Sequence, residues 1–489
     1  MSPKYKAILK IESIIMILLA IAMLPSLAIG IYDNESMSAA SFMLVIIILL
    51  FLGIFFNKFI SHSTYKLKNR DGFLIVSLTW FLASLIGSMP FYLSGYIPNF
   101  ADAFFESASG FSTTGASILT EIESLPRSIL FWRSFTHWLG GMGIIVFITA
   151  LIPAFGLSGQ IVANAETTGP TKEKITAKYS DGAKGVYIIY IAMTVIETLL
   201  LKICGLSWFD SLIHTFGTVG TGGLSSYNSS IAHFDNIFVE IIIALFMFLA
   251  AINFNLYYVA RKRGIKEIIN DEETRFYVGI VFIASIIIAV YNFIFNSFKD
   301  FGETVLNSFF QVISIITTTG YMTDDFDAWP TFSKMIIFCL FFVGGCASST
   351  GGGIKCVRFL GALKLIKRGI THKIHPNIIS PVTLNGKEMS NDTAIRITNF
   401  IFTYILLIAV GTIFLSIDGA DLMTNLSAAT SCIGNIGPGF NMVGPTMNYA
   451  FFSDFSKYVC SFLMITGRLE LYTVLVLFSR YYRDPNRTR

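Results

Sequence analysis

Four short segments rich in threonine and glycine recur along the chain at intervals of roughly one hundred residues. They read Ser112-Thr113-Thr114-Gly115-Ala116, Val219-Gly220-Thr221-Gly222-Gly223, Thr317-Thr318-Thr319-Gly320-Tyr321 and Gly434-Asn435-Ile436-Gly437-Pro438. Glycine lets successive carbonyls point the same way without a Cβ clash. Neutral carbonyl oxygens can replace the hydration shell of potassium without the tight hold of carboxylates, and no segment contains Asp or Glu. The backbone oxygens of Thr113, Thr114, Gly115, Thr221, Gly222, Thr318, Thr319, Gly320, Asn435, Ile436 and Gly437 are therefore candidate potassium ligands, with Gly220 an outlying one. Taken singly, each segment would be an ordinary helix-breaking turn. Four at matching positions predict one pore of pseudo-four-fold symmetry.

The elements that must hold such turns are legible in composition. With 489 residues, 54% hydrophobic and 13% charged, and a mean hydropathy of +0.66, the chain cannot fold around one aqueous core. Apolar runs of about the 20 residues a bilayer crossing needs fall near 13–32, 39–60, 73–96, 129–152, 185–205, 236–260, 276–297, 332–368, 394–416 and 456–480. The fold class that follows is an all-α polytopic membrane protein with four tandem membrane–pore-loop–membrane repeats after an N-terminal two-helix hairpin. The boundaries are 1–70 for the hairpin and 71–170, 171–271, 272–392 and 393–489 for the repeats. Before each turn, Asp102, Asp210, Asn307 and Asn425 are read as helix N-caps. A half-helix capped there aims its negative C-terminal dipole at the turn. The outgoing spans align so that Met142, Ile252, Cys346 and Arg468 share one depth.

Most of the 35 basic residues fall in stretches 4–10, 58–70, 172–184, 261–275, 355–396 and 480–489, whereas the intervening loops are acidic or neutral. Cytoplasmic loops gather Lys and Arg, so both termini are assigned to the cytoplasm and the four turns to the outer face of a bacterial-type plasma (inner) membrane. Because the basic residues follow topology rather than forming one patch, the net charge of +4 indicates no nucleic-acid partner. The first apolar run is too long for a signal-peptide core and reads as a retained span. Six cysteines lie singly in or beside apolar segments and read as packing residues.

A second signal lies between Gly344 and Gly353, where a composition unable to hold a lipid-facing helix interrupts a span. Gly345, Ser348, Ser349, Thr350, Gly351, Gly352, Gly353 and Lys355 would form an intramembrane loop beneath the turns, serving as a gate or as a tightly packed kink. Arg468 is an intramembrane charge, costly unless it faces water or a partner. It reads either as a positive barrier below the turns or as a structural pair with Glu470 or a carbonyl. His137 and His214 read as packing histidines, and Glu197 as a structural hydrogen-bonding group. Gly156-Leu157-Ser158-Gly159 matches a short intramembrane-protease motif without a matched histidine, and no phosphate-binding Gly-Lys-Thr loop is present, so the chain reads as no enzyme and with no organic cofactor.

Four pieces of sequence carry a resemblance to a known family. They are His137-Trp138-Leu139-Gly140-Gly141-Met142-Gly143, the Ser314–Tyr321 segment, Ser348-Ser349-Thr350-Gly351-Gly352-Gly353-Ile354-Lys355 and Thr466-Gly467-Arg468-Leu469-Glu470. Together they resemble the Trk/Ktr/HKT superfamily of potassium transporters, and the two extra spans make the chain most similar to the TrkH branch. The resemblance implies potassium selectivity where the four filter positions are glycine, as Gly115, Gly222, Gly320 and Gly437 are. It also implies gating by the intramembrane loop, a homodimer with one pore per protomer, and a cytosolic nucleotide-binding regulatory ring subunit. The sequence leaves open a sodium- or proton-coupled potassium symporter.

Overall fold

The computed structural model describes residues 3–60, 68–143, 179–295, 300–378 and 380–483. The end of the expected 129–152 span, the Gly156–Gly159 motif and the basic residues Lys172, Lys174 and Lys178 lie outside them. Helices α1 (Pro3–Tyr32) and α2 (Ser36–Phe59) pack along one another as the N-terminal hairpin. One order of elements then recurs: a long helix, a short capped helix, a turn and an outgoing helix. These are α3 (Asn69–Leu93), α4 (Phe100–Phe111) and α5 (Arg127–Gly141), then α6 (Tyr179–Ile203), α7 (Trp208–Val219), α8 (Ile237–Ala250) and α9 (Phe254–Arg263). The third set is α10 (Glu272–Ile294), α11 (Phe301–Ile316), α12 (Thr331–Leu340) and α13 (Cys356–Ile374), and the last is α14 (Asn391–Leu415), α15 (Leu422–Gly434) and α16 (Asp454–Arg468). Among the described residues the one sheet is a hairpin pairing Thr383 with Glu388 and Leu384 with Lys387.

Six described helices are long and apolar enough to cross a bilayer, and their outward faces remain apolar, with Phe51, Ile283, Phe402 and Ile413 all exposed. That pattern suits lipid, which leaves outward apolar faces no aqueous penalty. Inside, the Trp132 ring sits edge-on to Phe42 of α2 and Phe111 of α4, and its Nε1 donates to the Gly87 carbonyl of α3 at 3.0 Å. One buried aromatic thus ties the hairpin to the first set of helices.

Two expectations need correction. The caps of the short helices are Asn99, Ser207, Asp300 and Asp421, whose side chains accept from Ala101, Asp210, Glu303 and Thr424 N–H groups at 2.7, 3.0, 3.1 and 2.9 Å. Asp102, Asp210, Asn307 and Asn425 lie inside the helices and make other bonds, Asp102 to Lys457 and Asn307 to the Thr323 hydroxyl. The expected spans 236–260 and 456–480 are also not continuous, whereas the break expected at 344–353 lies between α12 and α13. Helices α8 and α9 meet at 86°, where Asn253 caps α9, and α16 meets the segment Tyr472–Phe478 at 108°. In the fourth set the turn is made by Glu470 and Leu471, each at φ 56°. The break read only in the third set is therefore shared by the second and fourth.

Candidate functional site

The four short helices end alike. Thr113, Thr221, Thr318 and Asn435 adopt left-handed φ values of 57°, 53°, 60° and 55°. The next N–H, that of Thr114, Gly222, Thr319 and Ile436, reaches back to the carbonyl of Ser109, Gly217, Ser314 and Ser431 at 2.9, 2.8, 2.9 and 3.0 Å. This is the Schellman closure of a helix C-terminus. The following residues, Gly115, Gly223, Gly320 and Gly437, have φ values of 80°, 71°, 81° and 101°. The glycine in register with the other three is thus Gly223, one residue later than the matched Thr-Gly dipeptides suggest. Gly222 holds the position of Thr114, Thr319 and Ile436. Gly220 precedes the left-handed residue and its carbonyl accepts from the Thr221 hydroxyl at 2.7 Å.

These turns close into a ring. A Cβ at Gly115 would overlap the Gly222 oxygen, one at Gly223 the Thr319 oxygen, and one at Gly320 the Ile436 oxygen. A Cβ at Gly437 would stand 2.7 Å from the Thr114 oxygen, which completes the circuit. In each case the glycine of one turn abuts the carbonyl of the equivalent residue in the next. The same four glycines line a cavity of about 240 Å³. Side chains brace the ring from behind: Ser112 and Thr114 hydroxyls lie 2.7 Å apart, Thr317 and Thr319 hydroxyls 2.8 Å, and Asn435 Nδ2 donates to Thr114 Oγ1 at 3.0 Å. Tyr449 donates to the Gly437 carbonyl at 2.9 Å.

The loop 344–353 lies against the turns. A Cβ at Gly351 would come within 2.8 Å of the Thr317 oxygen, and one at Gly352 would overlap the Gly434 oxygen. The Gly352 N–H donates to Thr318 Oγ1 at 2.6 Å, so loop and turn are directly bonded. Elsewhere Thr350 Oγ1 donates to the Ala250 carbonyl at 3.1 Å, Phe254 N to the Ser348 carbonyl at 3.1 Å, and Ala347 N to Glu273 at 2.7 Å. Ser349 donates to Cys346, Cys356 N to the Gly345 carbonyl at 2.9 Å, Lys355 Nζ bonds the Gly351 carbonyl, and Gly353 packs on Gly344. Arg468 joins three elements, donating to the Thr350 carbonyl at 2.5 Å and to those of Gly140 and Gly141 at 2.6 Å. Its carbonyl partners are thus present, while Glu470 pairs with Arg358.

Comparison with known proteins gives the family. A family model described as TrkH, cation transport protein, matches residues 38–486. The chain belongs to the TrkH family. The Trk system potassium uptake protein TrkH of Escherichia coli K12 is 35% identical over 418 residues, covering 85% of this chain and 86% of that one. The TrkH protein of Halomonas elongata is 34% identical over 478 residues, 97% of this chain and 98% of the relative. The crystal structure of the potassium transporter TrkH from Vibrio parahaemolyticus superposes with a TM-score of 0.88 at 29% identity, covering 98% of this chain and 99% of that chain. In this TrkH-family chain, sequence reasoning missed Gly223, hidden by two glycines in series. The cap-to-turn spacing is fourteen residues from Ser207 to Thr221, as from Asn99 to Thr113 and Asp421 to Asn435, but eighteen from Asp300 to Thr318, so it identifies Gly223 only beside the first and fourth turns. Sequence reasoning also missed Tyr449, for which the sequence carries no local signal.

Proposed function

We propose that this chain is a gated, passive potassium uptake protein of the bacterial inner membrane, multi-pass with both termini cytoplasmic, and that the ring of turns is its selectivity filter. The single observation carrying the reading is the closed circuit in which Gly115, Gly223, Gly320 and Gly437 each abut the carbonyl of Gly222, Thr319, Ile436 or Thr114. Carbonyl-dense, side-chain-free contacts of this kind can replace the hydration shell of a monovalent cation and still let it go. Four helix C-termini aimed at the ring add negative potential. Relatives named as potassium uptake proteins support potassium as the cargo. Inward flux then needs no ATP, since each charge gains about 2.3 kcal/mol per 100 mV.

The loop 344–353 is the gate in this reading, and Arg468 acts both as positive barrier and as latch, bonding the loop at Thr350 to the end of α5. The chain works as a homodimer with a cytosolic nucleotide-binding ring subunit on its basic face. Rubidium uptake into proteoliposomes tests the cargo. Potassium should compete and sodium and lithium should not, and Gly115→Ser should lose that discrimination, since its Cβ overlaps the Gly222 oxygen. Equal competition by sodium, or uptake that requires a sodium or proton gradient, contradicts the proposal.

A further inference from the structure

The second turn is the poorest in side chains. Where the first, third and fourth turns carry Thr114, Thr319 and Ile436, it carries Gly222. In the first and third turns the threonine is braced by a hydroxyl two residues earlier, Ser112 or Thr317. The corresponding pair in the second turn is Gly220 and Gly222, so no such brace forms. Gly222 is not there for its backbone freedom, because its φ is outside the left-handed region. A side chain is excluded by the imidazole of His137: a Cβ at Gly222 would overlap Nδ1, Cγ and Cε1 of that ring. The slot is filled from another repeat.

His137 reaches it from α5, on the face that presents Arg133 four residues earlier and Gly141 four later. Arg133 Nη1 donates to the Ser225 carbonyl at 2.7 Å, and a Cβ at Gly141 would stand 2.7 Å from the Gly220 Cα. One helix face therefore backs the whole second turn. His137 is fully buried, and neither ring nitrogen reaches a hydrogen-bond partner among the described residues. An unpaired buried polar group is costly, a cost that an aliphatic core residue would not carry.

We infer that His137 is a positioning residue of the filter: its imidazole stands in for the side chain missing from the second turn, holds the Gly222 carbonyl in the ring, and so sets the preference for potassium over sodium. The inference rests on the potassium-uptake reading. Without the imidazole, Gly222 has no side-chain packing and keeps only its N–H bond to the Gly217 carbonyl and its contact with Gly115, and a carbonyl freer to move serves a smaller ion as well as a larger one.

The test is rubidium uptake into proteoliposomes, with potassium and sodium as competitors, for wild type, His137→Ala, Gly222→Thr and the double variant. Each single substitution should lower discrimination about tenfold or more, the equivalent of about 1.4 kcal/mol, His137→Ala by emptying the slot and Gly222→Thr by colliding with the imidazole. The double variant, with threonine in the vacated slot as at Thr114 and Thr319, should return to within about threefold of wild type. Singles as selective as wild type, or a double variant that loses the sum of both, overturn the inference. Should His137→Ala fail to fold, the double variant decides: folded and selective supports, folded and unselective overturns. A wild type indifferent to potassium fails the uptake reading itself, a result distinct from a selective wild type with an equally selective His137→Ala.

Discussion

Gly95 and Gly223 share a left-handed backbone, φ 76° and 71°, but not a neighbourhood. Nothing lies within 4 Å of a Cβ at Gly95, whereas one at Gly223 overlaps the Thr319 oxygen. Gly95→Ala should therefore cost only the strain of a left-handed L-residue, about 1–2 kcal/mol in thermal stability, with rubidium uptake intact. Gly223→Ala should abolish selective uptake in protein that still purifies folded; equal effects of the two substitutions would show that the ring contact is irrelevant. Arg468→Ala removes both a charge and three carbonyl bonds, so flux should rise with expression unchanged, and unchanged flux would remove the barrier and latch together. At this scale the sequence revealed which residue types matter and obscured how they pair. Arg468 is conspicuous as an intramembrane charge, yet its partners lie 118 to 328 positions away. The nearer candidate Glu470 is swung to Arg358 by a left-handed backbone that no composition announces.

Short helices of the kind that aim at the ring depend on their caps, and the caps show where pattern reading stops. An Asp or Asn near each start was visible, but more than one side-chain acceptor lies near each start, as Asn99 and Asp102 or Asp421 and Asn425 do. Only the chain's exit from the preceding helix decides that Asn99, Ser207, Asp300 and Asp421 win. Asp421 is also a pH handle, because the Thr424 hydroxyl, the Thr424 N–H and the Asn441 amide hold its carboxylate below the ordinary value of 3.8. A depressed folded value means that the cap's contribution is complete above the ordinary carboxylate range and is lost as pH falls through the depressed value. Asp421→Asn keeps a capping side chain without the titration, so its melting temperature should fall less than that of wild type between pH 7 and pH 3. Identical falls would assign the acid sensitivity to other carboxylates. Helix breaks follow the same logic: the glycine run at 344–353 declared one in advance, while those at Asn253 and at Glu470–Leu471 arise from a cap and from two left-handed residues within apolar sequence.

The whole molecule is held in register by contacts that no local pattern contains. The circuit closes only when Gly437 of the last set meets Thr114 of the first, and Asn435 bonds Thr114 across 321 positions. Recurrence of apolar runs was enough to read a helical, multi-span membrane protein, because it is a one-dimensional signal. The register of the second turn and the imidazole that fills its empty slot were not, since each depends on a neighbouring helix face. The most direct test is anomalous scattering from crystals of the protein soaked in rubidium. The ring should show rubidium on its axis among the carbonyl oxygens of Thr114, Gly222, Thr319 and Ile436, displaced when potassium replaces it. Rubidium absent from the ring, or held instead by carboxylates elsewhere, would contradict the claim that these four turns strip and pass a monovalent cation.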